Sequence, residues 1–356
     1  MTLSDITVIN GSYGEGGGQV LRTSLTLSTL LGRPIRLENI RANRRNPGLQ
    51  AQHLTGVLAV ARICEAKLEE ATFGSQTLTF APQSPPQVGE YTLDVAEARK
   101  GGSAGATTLV LQTLLLPLAL ATGKSRLTIK GGTHVAWSPP FHYIERVYLP
   151  TLKRMGVEAN ISIERWGWYP IGGGEIKGEI EGTEGTRGLS GIDLTERGEL
   201  VRLWGISALS NLPRHIAERQ KTRAEDLLQA EGFEPQIEMV NAPAKGQGTV
   251  IFLVAEYENA VAGFTSLGRR GKPAEKVAEE ACQEFMAHHE SDACLDPHLA
   301  DQLILPMALA PGPSSFTTSR ITQHLLTNVW VVEQFLGVRF EVEGEEECSG
   351  KVMVKE

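Results

Sequence analysis

Q-T-L-L-L-P-L-A-L-A, from Gln112 to Ala121, and D-Q-L-I-L-P-M-A-L-A, from Asp301 to Ala310, place proline at the same position and match apolar residues along their length. Such similarity is hard to ascribe to composition and marks an internal repeat. A second pair supports it: Gln52-His53-Leu54 and Gln323-His324-Leu325 each open the second helix of a unit. In the middle unit that place falls to a helix beginning near Pro139 and Pro140. The pattern predicts an α+β chain of three repeated βαβαββ units, each a four-stranded sheet with two helices on one face.

The first unit shows the pattern most plainly. Ile6 to Asn10 reads as a strand, Val20 to Leu31 as a helix stopped by Gly32 and Pro34, and Ile35 to Ile40 as a second strand. Leu49 to Ala66 is then helical, and Lys67 to Phe80 returns as two strands turning at Gly74. Between the second and third units lies an insert. The segment E-G-T-E-G-T-R-G-L-S-G is a linker by composition, and strands at Leu200–Ser207, Gln236–Val240 and Thr249–Tyr257 alternate with helices at Arg214–Ala230 and Pro273–His288. The expected division is 1–184 and 285–356 for the repeats, the third being completed after the insert, and 185–284 for an inserted α/β domain.

Three stretches carry chemistry. The loop G-S-Y-G-E-G-G-G-Q, Gly11 to Gln19, packs glycines around Glu15, so its amides are free to curve around an anion. No Gly-Lys-Ser/Thr follows and Gly16 to Gly18 are contiguous, which excludes a Walker loop and a dinucleotide fingerprint. A tight strand-to-helix turn is the alternative; an acid among glycines favours a hard cation. R-A-N-R-R, Arg41 to Arg45, is the best phosphate clamp in a chain of net charge −8, or else a solvated face. With Thr322 as N-cap, His324 falls in the first turn of a helix running to Gly337. The helix dipole there disfavours imidazolium and attracts phosphate, as a histidine nucleophile at phosphorus requires, although such a residue can equally cap or pack.

Cys64, Cys282, Cys294 and Cys348 lack metal-type or paired spacing and read as reduced thiols of a cytoplasmic protein. M-T-L-S-D-I-T-V carries no basic-then-apolar signal, and Leu109 to Ala121 is too short to span a bilayer.

G-E-G-G-G-Q-V-L-R at Gly14 to Arg22, I-R-A-N-R at Ile40 to Arg44, P-G-L-Q-A-Q-H-L at Pro47 to Leu54, H-L-A-D-Q-L-I-L-P at His298 to Pro306 and H-L-L-T-N at His324 to Asn328 together resemble the RNA 3′-terminal phosphate cyclases. The resemblance covers nearly the whole chain. It implies an ATP-dependent, ligase-type enzyme that converts an RNA 3′-phosphate into a 2′,3′-cyclic phosphate through a histidine-bound AMP and an RNA-adenylate. On that resemblance His324 is the nucleophile, and Glu15 the acid associated with Mg2+ or Mn2+. Arg22, Arg41, Arg44, Gln52 and His53 are phosphate or RNA contacts, and Gln112, Pro139, Asp301 and Gln302 line the nucleotide pocket. Phe264 is a candidate to stack on adenine or a core residue, and His298 stands where the family commonly has tyrosine. Asp301 is also expected within reach of the second ring nitrogen of His324, fixing its tautomer. A non-catalytic relative acting in ribosome assembly is the alternative, against which His324 argues; remoter is an enolpyruvyl-type transferase, which leaves H-L-L-T-N unexplained.

Overall fold

The computed structural model describes residues 6–183 and 185–355. The first five residues, part of the segment read for a signal, and the boundary residue Glu184 lie outside it.

The first unit runs β1 (Thr7–Asn10), α1 (Gly18–Leu31), β2 (Ile35–Glu38), α2 (Ala51–Ile63), β3 (Lys67–Glu69) and β4 (Leu78–Ala81). Its sheet order is β1-β2-β4-β3, with β1 parallel to β2 and the other pairs antiparallel. The second unit repeats this with β5 (Glu90–Asp94), α3 (Thr107–Ala119), β6 (Gly123–Gly131), α4 (Phe141–Tyr143), a π turn at Ile144–Tyr148, α5 (Leu149–Arg154), β7 (Glu158–Arg165) and β8 (Gly174–Gly182). Its order, β5-β6-β8-β7, is the same. The third unit starts at β9 (Asp193–Leu194), is interrupted, and resumes later in the chain.

The interruption comprises β10 (Leu200–Ser210), α6 (His215–Ala230), β11 (Gln236–Asn241), β12 (Gly248–Tyr257), β13 (Val261–Leu267) and α7 (Ala274–Glu290), with a sheet of its own, β11-β10-β12-β13. The third unit then continues with α8 (Pro297–Leu309), β14 (Ser315–Thr318), α9 (Gln323–Phe335), β15 (Arg339–Glu343) and β16 (Gly350–Lys355), in the order β15-β16-β14-β9. Because β9 pairs in parallel with β14, Ser315 opposite Asp193 and Phe316 opposite Leu194, the third sheet begins before the insert. The expected insert boundary at 185 therefore falls ahead of a strand that belongs to the repeats, and α7 runs past 284 to Glu290. A two-residue strand is too short to show alternation, which hid it from a reading by period.

The matching prolines have a physical counterpart. Pro117 and Pro306 sit inside α3 and α8, where each removes a backbone donor to the carbonyl four residues earlier. In α3 that carbonyl belongs to Thr113, and the Thr26 hydroxyl of α1 donates to it at 3.2 Å. The lost helical bond thus becomes a contact between first and second units. Helix α1 packs against α2, α3 and α9, and α8 packs against α9, so the third unit closes back on the first. Val20, Leu21, Leu25, Leu303, Ile304, Leu325 and Val331 are fully buried in the shared core. The free-thiol reading holds, since all four cysteines are unpaired. No helix among the described residues is long and apolar enough to cross a membrane.

Candidate active site at the junction of the first and third units

The glycine-rich loop leaves β1 and is pressed against α9. Gly14 has φ +60, and a Cβ there would lie 2.2 Å from Thr327 Oγ1, so only glycine fits both conformation and space. One residue earlier, the Tyr13 ring stacks on Trp330 of α9 with centroids 3.8 Å apart and planes 11° from parallel. Stack and close approach together aim Glu15 at the start of that helix.

Helix α9 is capped by Thr322, whose hydroxyl accepts from Leu325 N–H at 3.1 Å, as its sequence predicts. The cap leaves the His324 ring free, and its Nε2 lies 2.8 Å from Glu15 Oε2. Arg44 reaches the same oxygen at 2.8 Å. Burial would raise the Glu15 carboxyl, but the His324 hydrogen bond and charge, then Arg44, outweigh it and hold it below its ordinary value. Burial pulls His324 down, yet the Glu15 hydrogen bond and the charges of Asp301 and Glu15 raise it above its ordinary value. The helix start alone argues for a neutral ring; the folded chain adds two carboxylates, and they prevail.

Asp301, 8% exposed, is pushed up to about 7 by burial, with His324 and Arg22 pulling it back. Among the described residues no hydrogen bond joins Asp301 to His324, so the expected contact with the second ring nitrogen is replaced by a charge effect. The backbone of Asp301 is fixed instead: Asn328 Nδ2 donates to its carbonyl at 2.7 Å, and Thr23 donates to Asn328 Oδ1 at 2.7 Å. This ties α1, α8 and α9 together behind the site.

Arg22 is drawn down to about 10 by burial, opposed by Asp301 and Glu15, and remains a cation at neutral pH. Burial and the charge of Arg44 also lower Arg41. Arg22 and Arg41 thus carry positive charge that is partly removed from water, a setting that suits an anion. His53 stands behind them: its Nδ1 accepts from Gln50 N–H at 3.2 Å, completing a reciprocal cap on α2. Burial, then Arg41 and Arg22, lowers its pKa far below the ordinary value, so the ring is neutral with its proton on Nε2. A Cβ on Gly18 would fall 2.4 Å from that nitrogen. Gln52 Oε1 accepts from Ala106 N–H at 2.9 Å and so secures the second unit's loop to this corner.

The expected nucleotide residues divide. Gln112 hydrogen-bonds Gln302, and Gln302 reaches the carbonyl of His298, linking α3 to α8 beside Asp301. Thr108 donates to the Pro139 carbonyl at 2.7 Å. His298 is exposed, its ring edge-on to Tyr143 at 6.4 Å. Phe264 is 2% exposed and packs on Phe285 at 5.7 Å, so its ring is taken up by the insert's core. Sequence reasoning missed Tyr13, Trp330, Thr23 and the role of Asn328. The signal available was an aromatic inside a glycine-rich loop; Trp330 was hidden by its core-like helical spacing.

For a metal, the described residues provide no group of three or more His, Cys, Asp or Glu. Glu15, held ionised, offers hard oxygen donors, and a Mg2+-like ion bound by one carboxylate, water and substrate phosphates needs no more from the protein. The donor set fits such an ion.

A family model described as RNA 3′-terminal phosphate cyclase matches residues 13–342. A protein of Methylococcus capsulatus named RNA 3′-terminal phosphate cyclase is 53% identical over 346 residues, covering 97% of this chain and 95% of its own. Namesakes from Nostoc punctiforme, 53% identical over 92% of this chain and 93% of theirs, and Pyrobaculum aerophilum, 43% identical over 93% of each, are also similar.

Proposed function

The chain belongs to the RNA 3′-terminal phosphate cyclase family, and from that premise we propose that it cyclises RNA 3′-phosphates with ATP, using His324 as nucleophile. The observation that carries the reading is the His324 ring: freed from capping by Thr322, its side chain 47% exposed, and its Nε2 2.8 Å from a carboxylate flanked by Arg44.

Nε2 passes its proton through the Glu15 carboxylate to solvent and attacks the α-phosphorus of ATP; an N–P bond forms and the bond to pyrophosphate breaks. An oxygen of the RNA 3′-phosphate then displaces Nε2, creating a phosphoanhydride. The adjacent 2′-hydroxyl loses its proton, attacks the 3′-phosphorus and expels AMP, which leaves with the bridging oxygen. Only ribose can complete this step, so the substrate is RNA. Arg22, Arg41 and Arg44 offset the charge of two phosphates brought together, worth most where water is scarce. Glu15 holds the ring in place before the reaction and must release Nε2 for attack. A divalent ion at Glu15 and the nucleotide's oxygens would supply further charge neutralisation there. Asp301 stabilises positive charge on His324 as the N–P adduct forms.

Incubation with ATP labelled at the α-phosphate and Mg2+ or Mn2+ tests this. The expected product is an acid-labile, alkali-stable adduct absent from His324→Ala. An adduct that persists in that variant refutes the assignment. Tight RNA binding with neither adduct nor cyclic product would favour a non-catalytic role in ribosome assembly.

A further inference from the structure

Phe73, Arg99 and Lys100 form a surface feature that the proposed chemistry does not use. After β5 and the short helical turn Val95–Ala98, Arg99 and Lys100 run exposed into Gly101 and Gly102, both at positive φ. The Arg99 guanidinium lies 5.6 Å from the centre of the Phe73 ring, and Phe73 is 44% exposed. A phenylalanine left in solvent beside a cation adds nothing to a core; it is the pairing that binds unpaired bases.

The feature is tethered on both sides to loops that carry residues of the proposed site. The turn carrying Phe73 is fastened to the arginine loop: Gly74 N–H donates to Leu49 O at 2.8 Å, and Arg41 donates to Gly48 O at 3.0 Å. The loop that follows Arg99 is fastened at Ala106 to Gln52, the neighbour of His53. Arg45, exposed on the same arginine loop, adds a third cation. Among the described residues Arg45, Arg99 and Lys100 have no carboxylate within ion-pair distance, whereas nearby Arg36 pairs with Glu38 and Glu70, and Arg44 with Glu15. Positive charge without a protein counter-charge, on a chain of net charge −8, is available to an anionic partner.

We propose that Phe73, Arg99, Lys100 and Arg45 form a track for the nucleotides immediately upstream of the reacting 3′ end. One base stacks on Phe73 and backbone phosphates meet the three cations. The track rests on the reading of the His324 site as a cyclase. It reads single strands, because a base within a duplex cannot offer its face to a protein ring.

The test compares KM for a 3′-phosphorylated dinucleotide and octanucleotide. In the wild-type chain KM falls with length. Phe73→Ala erases about fivefold to tenfold of that gain and Phe73→Trp preserves it. Arg99→Gln with Lys100→Gln lowers the salt slope of the octanucleotide KM by about 1.4. A length gain untouched by Phe73→Ala, with product still formed, overturns the track alone. Absence of cyclised product from the wild-type chain at either length overturns the parent reading and the track with it.

Discussion

His53 and His324 lie between the same neighbours, Gln and Leu, near the starts of equivalent helices, and the fold treats them in opposite ways. In α2 the N-cap is Gln50, which places His53 three residues on, where its Nδ1 completes the reciprocal cap. In α9 the N-cap is Thr322, which places His324 two residues on and performs the capping with its own hydroxyl. One residue on a helix is a rotation of about 100°. One ring is consequently built into the backbone, 7% exposed and neutral; the other faces Glu15 and solvent. Which residue satisfies the helix end decides which histidine ring is left free of the backbone.

The largest test of that contrast removes each ring. His324→Ala should lower nucleotide labelling by about four orders of magnitude or more, whereas His53→Ala should still form the adduct and lose chiefly its transfer to RNA. Equal loss of labelling in both, measured on folded protein, would break the comparison. Next in size is Glu15→Gln, which removes a charge that acts on His324 and not on His53. Labelling should fall by about 100-fold, read as the rate of adduct formation across a metal titration. Thr322→Ala should cost about 1 kcal/mol through the lost cap, seen as a lower Tm and a severalfold slower adduct.

The smallest effect concerns Asp301. Burial lifts it from an ordinary value of 3.8 to about 7, so within that window the folded chain retains a proton that the unfolded chain has released. Its contribution to stability must therefore decline as pH rises from about 4 through 7. Asp301→Asn cannot titrate, and its Tm should fall less than that of the wild type between the two ends of this range. A parallel fall in both would remove Asp301 from the account.

The repeat was legible because proline inside an apolar run is rare enough that two matching decamers carry information, and the helix bounded by Thr322 and Gly337 followed from its cap and spacing. Strand β9 was not legible, being two residues long, and β13 was missed because Gly263 interrupts its apolar run. At the site, the residue types at Glu15, Arg44 and His324 were visible as motifs, but their shared oxygen was not. No local pattern shows that Glu15 meets a ring more than three hundred residues later in the chain, or that its charge reverses the protonation preference of a helix start. The Tyr13 and Trp330 stack escaped for the same reason: each ring has an ordinary local explanation, and only the fold brings them face to face.

The split third unit also imposes an order on biosynthesis. Strand β9 is translated before the whole inserted sheet, yet its partner β14 and the proposed nucleophile on α9 come only afterwards. Domains tend to fold as they leave the exit tunnel, so the glycine loop and arginines can be in place while the His324 imidazole has yet to be made. A polypeptide released early would hold the glycine loop and arginines without His324, and on the proposed mechanism nucleotidyl transfer waits until α9 docks against α1.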